Sequence, residues 1–349
     1  MANYDQMAAA VKEISGGKNI VLLNDVNLPS IYVPFTKHKY SELITGGSEN
    51  IHLAHSVNGV EKSTFYYSKY QNVIINGRAY SLAHRDPATY VNWDQARQAC
   101  EQNGAGFHLA TMAEWAEIAL WCRKNGTMPH GNNNYGADAS AAHERGEESA
   151  KDNTKTGRTF TGSGPATWGH DWTQFGIQDM NGNVWEWVAG MRLKDGEIQI
   201  IPYNNAAMGS ECDMSASSTL WKAIKNDGSI VDPGSAATLK YDWVSNHIQL
   251  TTGITTAADA GRYDEYAKMT LASGITAPEL AKALLIYPDE PNGDYAGDGH
   301  WMNNSGERLP ICGGYWADGA GAGVFGVVLG DPRTDSGGNI GFRSAYVEL

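Results

Sequence analysis

The chain is poor in cysteine: Cys100, Cys122, Cys212 and Cys312 are the only four in 349 residues, and no two stand at a CxxC spacing. Zinc-finger and dithiol redox motifs are thereby excluded, and reduced thiols in a chain made in a cytoplasm are expected. No stretch approaches the roughly 18 apolar residues of a membrane-spanning helix, so no membrane insertion is expected. Met1-Ala2-Asn3-Tyr4-Asp5 has neither the basic nor the apolar region of a signal peptide, and the expectation is synthesis in the cytoplasm without export by the general pathway. Cationic side chains are scarce as well. The sequence holds 26 Lys and Arg against 39 Asp and Glu, a formal net charge of −13, and no basic run. Nucleic acid is disfavoured as a partner, because neutralising phosphates takes a clustered basic face. No GxxxxGK[ST] and no GxSxG occurs, which removes a phosphate cradle and a nucleophile elbow.

What the chain has in quantity is glycine and tryptophan. Its 40 Gly make about 11% of the residues, against about 7% on average, and its 11 Trp are many for a sequence with only 19% charged side chains. Long loops pinned by buried aromatics are expected. Residues 1–55 read as a small N-terminal unit for attachment or packing: a helix from Tyr4 to Ile14 with Met7, Ala10, Val11 and Ile14 on one face, then short strands at 20–23 and 31–33 around Pro29, closed by Gly46-Gly47. A virion or another copy of the chain is the partner expected for that unit. Beyond it, Val73-Ile74-Ile75 and Arg78-Ala79-Tyr80 flank Asn76-Gly77 as a hairpin. Asn92 or Asp94 caps a helix burying Trp93, Ala96, Ala99 and Cys100. Thr111 caps a second, with Glu114 at the reciprocal position and Gly126 at the end. Past residue 126 periodicity fades, except for a helical stretch from Pro278 to Ile286.

The most specific string is Gly176-Ile177-Gln178-Asp179-Met180-Asn181-Gly182-Asn183-Val184-Trp185-Glu186-Trp187. It reads as strand, tight Asn-Gly turn and second strand, with Trp185 and Trp187 on one face and Glu186 on the other. This string resembles the signature of the formylglycine-generating-enzyme type of C-type lectin fold. The segment from His108 to Trp115, and Gly313-Gly314-Tyr315-Trp316 with Ile340-Gly341-Phe342-Arg343, resemble that family's other blocks in order and spacing. The resemblance implies a loop-rich α+β fold over residues 56–349, with an insertion near 190–300. The family's enzymes bind copper through two cysteines after the closing Trp; here those positions hold Asp318 and Gly323, neither of which forms a thiolate. The ten histidines include no HxxxH or HxH, so the iron site of the related sulfoxide synthases has no ligands either. No enzymatic activity and no required cofactor are expected.

Residues 313–343 resemble the variable region of proteins diversified by retroelements, in which template adenines are miscopied and Asn codons become a mixed set. The resemblance puts the diversified, ligand-binding positions at Tyr315, Ala317, Asp318, Gly321, Val328, Gly330, Asp331, Asp335, Gly337 and Gly338. None of the ten holds Lys, Glu, Gln, Met or Trp, the residues that randomising an Asn codon's first two bases cannot reach. The implied function is a ligand-binding protein of phage or prophage type that selects host receptors, its partner a protein or glycan on a cell surface, displayed on a phage particle. A lectin-like module with one fixed ligand is the alternative, and an oxidase of the formylglycine-generating type a further one.

The resemblance also implies a structural calcium ion held by Asp179, Glu186 and the carbonyls of Gly182 and Val184, a chemically suitable set of hard oxygens. The other reading of Glu186 is a core carboxylate that accepts hydrogen bonds from loop backbone. Asp289, Glu290, Asp294 and Asp298 do not match an EF-hand and read as a solvated turn. His130, His143 and His170 stand at irregular separations and read as surface or core hydrogen-bonding residues.

Overall fold

The computed structural model describes residues 3–349. It opens with helix α1 (Asn3–Ile14) and strands β1 (Ile20–Leu23) and β2 (Pro29–Thr36). The Asn-Gly and capping signals translate into local structure as expected. Asn76 and Gly77 both take positive φ, 51° and 78°, and close a hairpin of Val73–Ile75 on Arg78–Tyr80. Helix α2 (Trp93–Glu101) is capped by Asn92, which accepts the Gln95 N–H while Gln95 accepts that of Asn92. Helix α3 (Met112–Asn125) repeats the reciprocal cap with Thr111 and Glu114 and stops at Gly126 in the left-handed conformation. Unlike a surface helix, α3 is buried almost all round from Met112 to Leu120, because sheets and loops enclose it. The expected stretch from Pro278 forms a short helix, Glu279–Ala283.

Two sheets carry the molecule. The first has the order β1, β2, β3 (Thr64–Ser68), the C-terminal strand Ser344–Tyr346, then β4 (Phe107–Leu109). The expected separate unit at residues 1–55 is therefore corrected. Strand β2 pairs with β3 over Tyr32–Thr36, Tyr32 Oη lies 3.0 Å from Ser344 Oγ, and Leu43, Ile44, Leu53 and Ala54 share one core with Trp115 and Phe325. A segment this short cannot close its own apolar face, and it completes a sheet made from both ends of the chain. Residues 1 and 2 of that expected unit lie outside the described residues. The predicted apolar stripe of α1 is not packed inward either: Met7 and Ile14 are exposed.

The second sheet is built from β5 (Trp185–Trp187), β6 (Met191–Lys194), β7 (Glu197–Ile200), β8 (Lys240–Val244), β9 (His247–Thr251), β10 (Arg262–Glu265), β11 (Gly299–Met302), β12 (Glu307–Gly313), β13 (Gly323–Asp331) and β14 (Ile340–Phe342), with further short strands. Its central path runs β10, β11, β13, β12, β6, β7, β8, β9, with β5 bridging β12 and β14. The region near 190–300, expected as an insertion without periodicity, thus forms a mostly antiparallel extension, closed by one parallel pair of His247–Thr251 with Thr270–Leu271. Its pattern is hidden because β7 is buried on both faces, polar residues included. Glu197 accepts from Thr238 Oγ1 at 2.6 Å, and Gln199 accepts from Arg192 at 2.8 Å, so satisfied polar groups stand where alternation predicts exposure.

Buried tryptophans pin the loops, as their number suggested. Trp93, Trp115, Trp168, Trp187 and Trp221 are among the largest fully buried side chains. Trp93 Nε1 donates to Val188 O, Trp187 Nε1 to Val91 O, and Trp115 Nε1 to Val324 O at 2.7 Å. A chain lacking residues 1–36 is expected to lose its cooperative thermal transition, followed by circular dichroism, since β3 is left with an open edge and the core uncovered. An unchanged melt would show that these residues form a separate unit.

Candidate ligand-binding face

The signature string does its work in the core. Strand β5 runs antiparallel to β12 and parallel to β14, and all three of its residues are buried. The expected strand before the turn is only a bridge between Gly169 and Gln178. Asp179 and Asn183 take positive φ and bend the chain into a cup instead. Glu186 meets Arg343 in a two-pronged ion pair, Arg343 Nε to Oε2 at 2.7 Å and Nη2 to Oε1 at 2.8 Å, with both side chains buried. Arg343 also donates to Lys69 O at 3.1 Å.

The expected calcium ligands do not fit a cation. The carbonyls of Asp179, Gly182 and Val184 and Oε1 of Glu186 converge at 3.0–3.4 Å on Nε2 of Gln71, so an amide nitrogen stands where the ion would, and Arg343 balances the Glu186 charge. The Asp179 carboxylate turns away: Oδ2 accepts the Gly162 N–H at 2.8 Å, while buried Oδ1 has no partner among the described residues. The backbone-accepting alternative for Glu186 is not what forms either, because its partners are the Arg343 and Gln71 side chains. Burial pushes the Asp179 carboxyl up to about 6, against partial relief from the Gly162 N–H.

Each of the ten positions named from the variable-region resemblance is half-buried, with none sealed in the core and none freely exposed. Between them on the same strands, Val324, Phe325, Val327, Leu329, Ile340 and Phe342 are buried. The glycines divide the same way. Gly313, Gly314, Gly319 and Gly323 have positive φ, and a Cβ on Gly326 or Gly341 would press on backbone oxygen at 2.9 or 2.7 Å. Gly321, Gly330, Gly337 and Gly338 have neither restriction; their nearest neighbours are side-chain atoms of Trp301, Val328, Asn339 and Tyr90. A side chain is admissible at these four, at Gly337 and Gly338 once the ends of the Asn339 and Tyr90 side chains move aside, and strained at the other six.

The face has fixed aromatic members outside the segment. Tyr263, Trp301 and Val328 lie side by side across β10, β11 and β13. Trp301 packs on Tyr263 at 4.9 Å and edge-on to Trp185 at 5.5 Å, and Tyr263 is 47% exposed. Tyr90, 72% exposed, donates its N–H to Gly337 O at 2.9 Å. Sequence reasoning missed Tyr263, Trp301 and Tyr90; a half-alternating aromatic in 299–302 was the only available signal. Arg333 ties the loop down, reaching Glu307 at 3.0 Å, Asp94 at 2.8 Å and Met214 O at 3.0 Å. Asp318 accepts the Tyr315 N–H at 2.9 Å. Burial pushes its carboxyl up to about 7, and burial with the Asp335 charge pushes Asp331 up to about 6.

Of the acidic loop expected as a solvated turn, Asp294 is exposed and Glu290 half-buried, but Asp289 and Asp298 are not solvated. Asp289 pairs with Arg123 at 3.1 Å, and Asp298 is buried, accepting the Phe325 N–H at 2.8 Å. Its carboxylate fills the space beside Gly323 and so anchors the start of β13.

A family model described as the sulfatase-modifying factor enzyme 1-like domain matches residues 25–271. The chain belongs to that family, and its fold is the C-type lectin-like α+β fold. The match stops short of 313–343. Among solved structures, Treponema denticola variable protein 1 aligns over 94% of this chain and 98% of its own at 14% identity and a TM-score of 0.35. PvdO from Pseudomonas aeruginosa aligns over 94% and 93% at 14% identity and a TM-score of 0.34. No curated protein matches.

The Asp179 environment gives a pH test. A carboxyl whose folded-state pKa is raised holds its proton more tightly in the folded chain, so its contribution favours folding as pH falls from above 6 toward the ordinary 3.8 and is lost as pH rises back. The Asp179→Asn variant is expected to be more stable than the parent above pH 6, the difference shrinking toward pH 4, read as unfolding midpoints in urea. A constant difference over that range would contradict the assignment.

Proposed function

We propose that the face around Tyr315, Val328 and Trp301 is a ligand-binding surface whose side chains are interchangeable on a fixed backbone, diversified by a retroelement. One observation carries this reading: all ten positions that the variable-region resemblance picks out from sequence are half-exposed, and the four of them that are glycine are the four in the segment with neither positive φ nor backbone crowding. The division between a rigid scaffold and adaptable contact residues is that of an antibody paratope. In this copy nine of the ten side chains are small or acidic and the tenth is Tyr315, so Tyr315 with Trp301 and Tyr263 supplies the anchoring area. The ligand is a protein or glycan on a cell surface, and the carrier is a phage particle, to which the exposed apolar residues of α1 attach the chain or a second copy. Many weak sites on one particle would then act together.

The reading includes no oxidase activity and no calcium. Asp318 and Gly323 occupy the copper-cysteine positions, and all four thiols are buried, with burial pushing Cys212 up to about 11 and Cys100 and Cys312 well above their usual range. Among the described residues no helix is long and apolar enough to cross a membrane.

Sequencing many natural copies of the 3′ end of the gene with the DNA downstream tests the proposal. Substitutions concentrated at the ten positions and matching adenines in a nearby near-identical repeat are expected, with Gly313, Gly323, Phe325, Trp301 and Arg333 constant. Even variation without a repeat would overturn diversification and leave a lectin-like module of fixed specificity.

A further inference from the structure

A pocket of about 390 Å³ opens between the loop that follows α3 and the turn at 319–322. Ala320 and Ala322, which flank the diversified Gly321, line it together with Asn133, whose carbonyl oxygen accepts the Gly319 N–H at 2.9 Å. None of the ten half-exposed positions lines it. The pocket therefore adjoins the exchangeable side chains while being built from others.

Trp172, Met128 and Pro129 supply its larger apolar surfaces. Among the described residues Trp172 is the one exposed tryptophan, at 44%, and its φ of 54° lies in the left-handed region that bulky residues rarely adopt. Its indole nitrogen donates to Met128 O at 3.0 Å, so the ring is fixed and has only carbon left to offer a guest. Unlike the buried tryptophans it pins no core.

The polar side chains of the pocket are committed to the protein. Asp138 accepts the Ser140 hydroxyl at 2.6 Å and the N–H groups of Ser140 and Ala141 on Oδ1, and the Gly131 N–H at 3.0 Å on Oδ2. Asn133 accepts the Ala139 N–H at 2.7 Å and donates to Asn181 Oδ1 at 3.1 Å, while Asn181 donates to Pro129 O at 2.8 Å. His130 Nδ1 lies 2.9 Å from the Glu144 carboxylate. Because Asp138, Asn133 and Asn181 are buried, a sugar hydroxyl recognised through them has to displace a bond already made, whereas an apolar group leaves the network whole.

We propose that this pocket is the constant anchor of the binding face, taking a large apolar side chain of a protein ligand against Trp172. The inference rests on the reading of residues 313–343 as that face, and it selects a protein over a glycan. Interfaces concentrate their affinity in a few such side chains seated in fixed pockets, and the volume falls within the range of about 300–1,000 Å³ of small-molecule sites. The neighbouring exchangeable positions then discriminate among proteins that carry the anchor.

The test titrates the full chain with N-acetyl-L-phenylalaninamide and with methyl β-D-galactopyranoside, followed by NMR of the tryptophan indole N–H signals. The amide is expected to bind saturably and shift the Trp172 signal, with the glycoside at least about tenfold weaker, the equivalent of one buried hydrogen bond displaced. Trp172→Ala is expected to weaken the amide by about tenfold, the upper range of an aromatic contact. No saturable binding of the amide, equal or tighter binding of the glycoside, or undiminished binding by a folded Trp172→Ala chain would overturn the proposal. Should that variant not fold, Ala320→Phe, at an exposed position of the rim, decides by the same measure, since its ring fills the pocket. Variation at the ten positions with no amide binding would remove this anchor and leave the diversified face; amide binding beside an invariant face would keep the apolar pocket and remove diversification.

Discussion

The buried ion pair between Glu186 and Arg343 is the constraint on which the rest depends. It joins the middle of the chain to its last strand, and through Arg343 to Lys69 O it also reaches the end of β3. Desolvating two charges is costly, and such a pair holds only when its geometry and remaining hydrogen bonds are good; loss of one partner costs about 3–5 kcal/mol. Here both prongs are made and Gln71 takes up Glu186 Oε1. With β14 locked to β5 in this way, the loop from Asp331 to Asn339 is suspended between two fixed ends, β13 and β14.

That suspension separates what must stay constant from what is free to change. One side of β13 is sealed by Val324, Phe325, Val327 and Leu329, and its start is gripped by the Asp298 carboxylate and the Trp115 indole. The other side offers Val328 and Gly330 beside Trp301. Glycines with left-handed backbone or backbone contacts shape the loop, whereas the four that lack such restraints sit on the accessible face. A surface so built can alter its chemistry without altering its fold.

Much of this was legible in the sequence because local signals are short-range. The Asn76-Gly77 turn, the caps at Asn92 and Thr111 and the stop at Gly126 each depend on neighbours within a few residues, and each formed where it was expected, whereas of the signature string only the strand Trp185–Trp187 did. Long-range pairing was not legible. Glu186 and Arg343 both stood in recognised motifs, but nothing in their spacing of 157 residues says that they meet. The same holds for Gln71, an ordinary glutamine in sequence that fills the place expected for a cation. Residues 190–300 hid their strands because paired polar groups such as Glu197 and Asp264 lie inside, and the N-terminal residues looked independent because their sheet partner is the far end of the chain. Trp301 and Tyr263 became part of the binding face only through strand pairing.

A binding face of this kind requires one backbone to tolerate exchange at all ten positions together. Scanning calorimetry of a chain carrying Asn simultaneously at positions 315, 317, 318, 321, 328, 330, 331, 335, 337 and 338 measures that tolerance. A single cooperative transition within a few degrees of the parent is predicted, since every replaced side chain lies outside the core. Loss of the cooperative transition would contradict the claim and make these residues part of the scaffold.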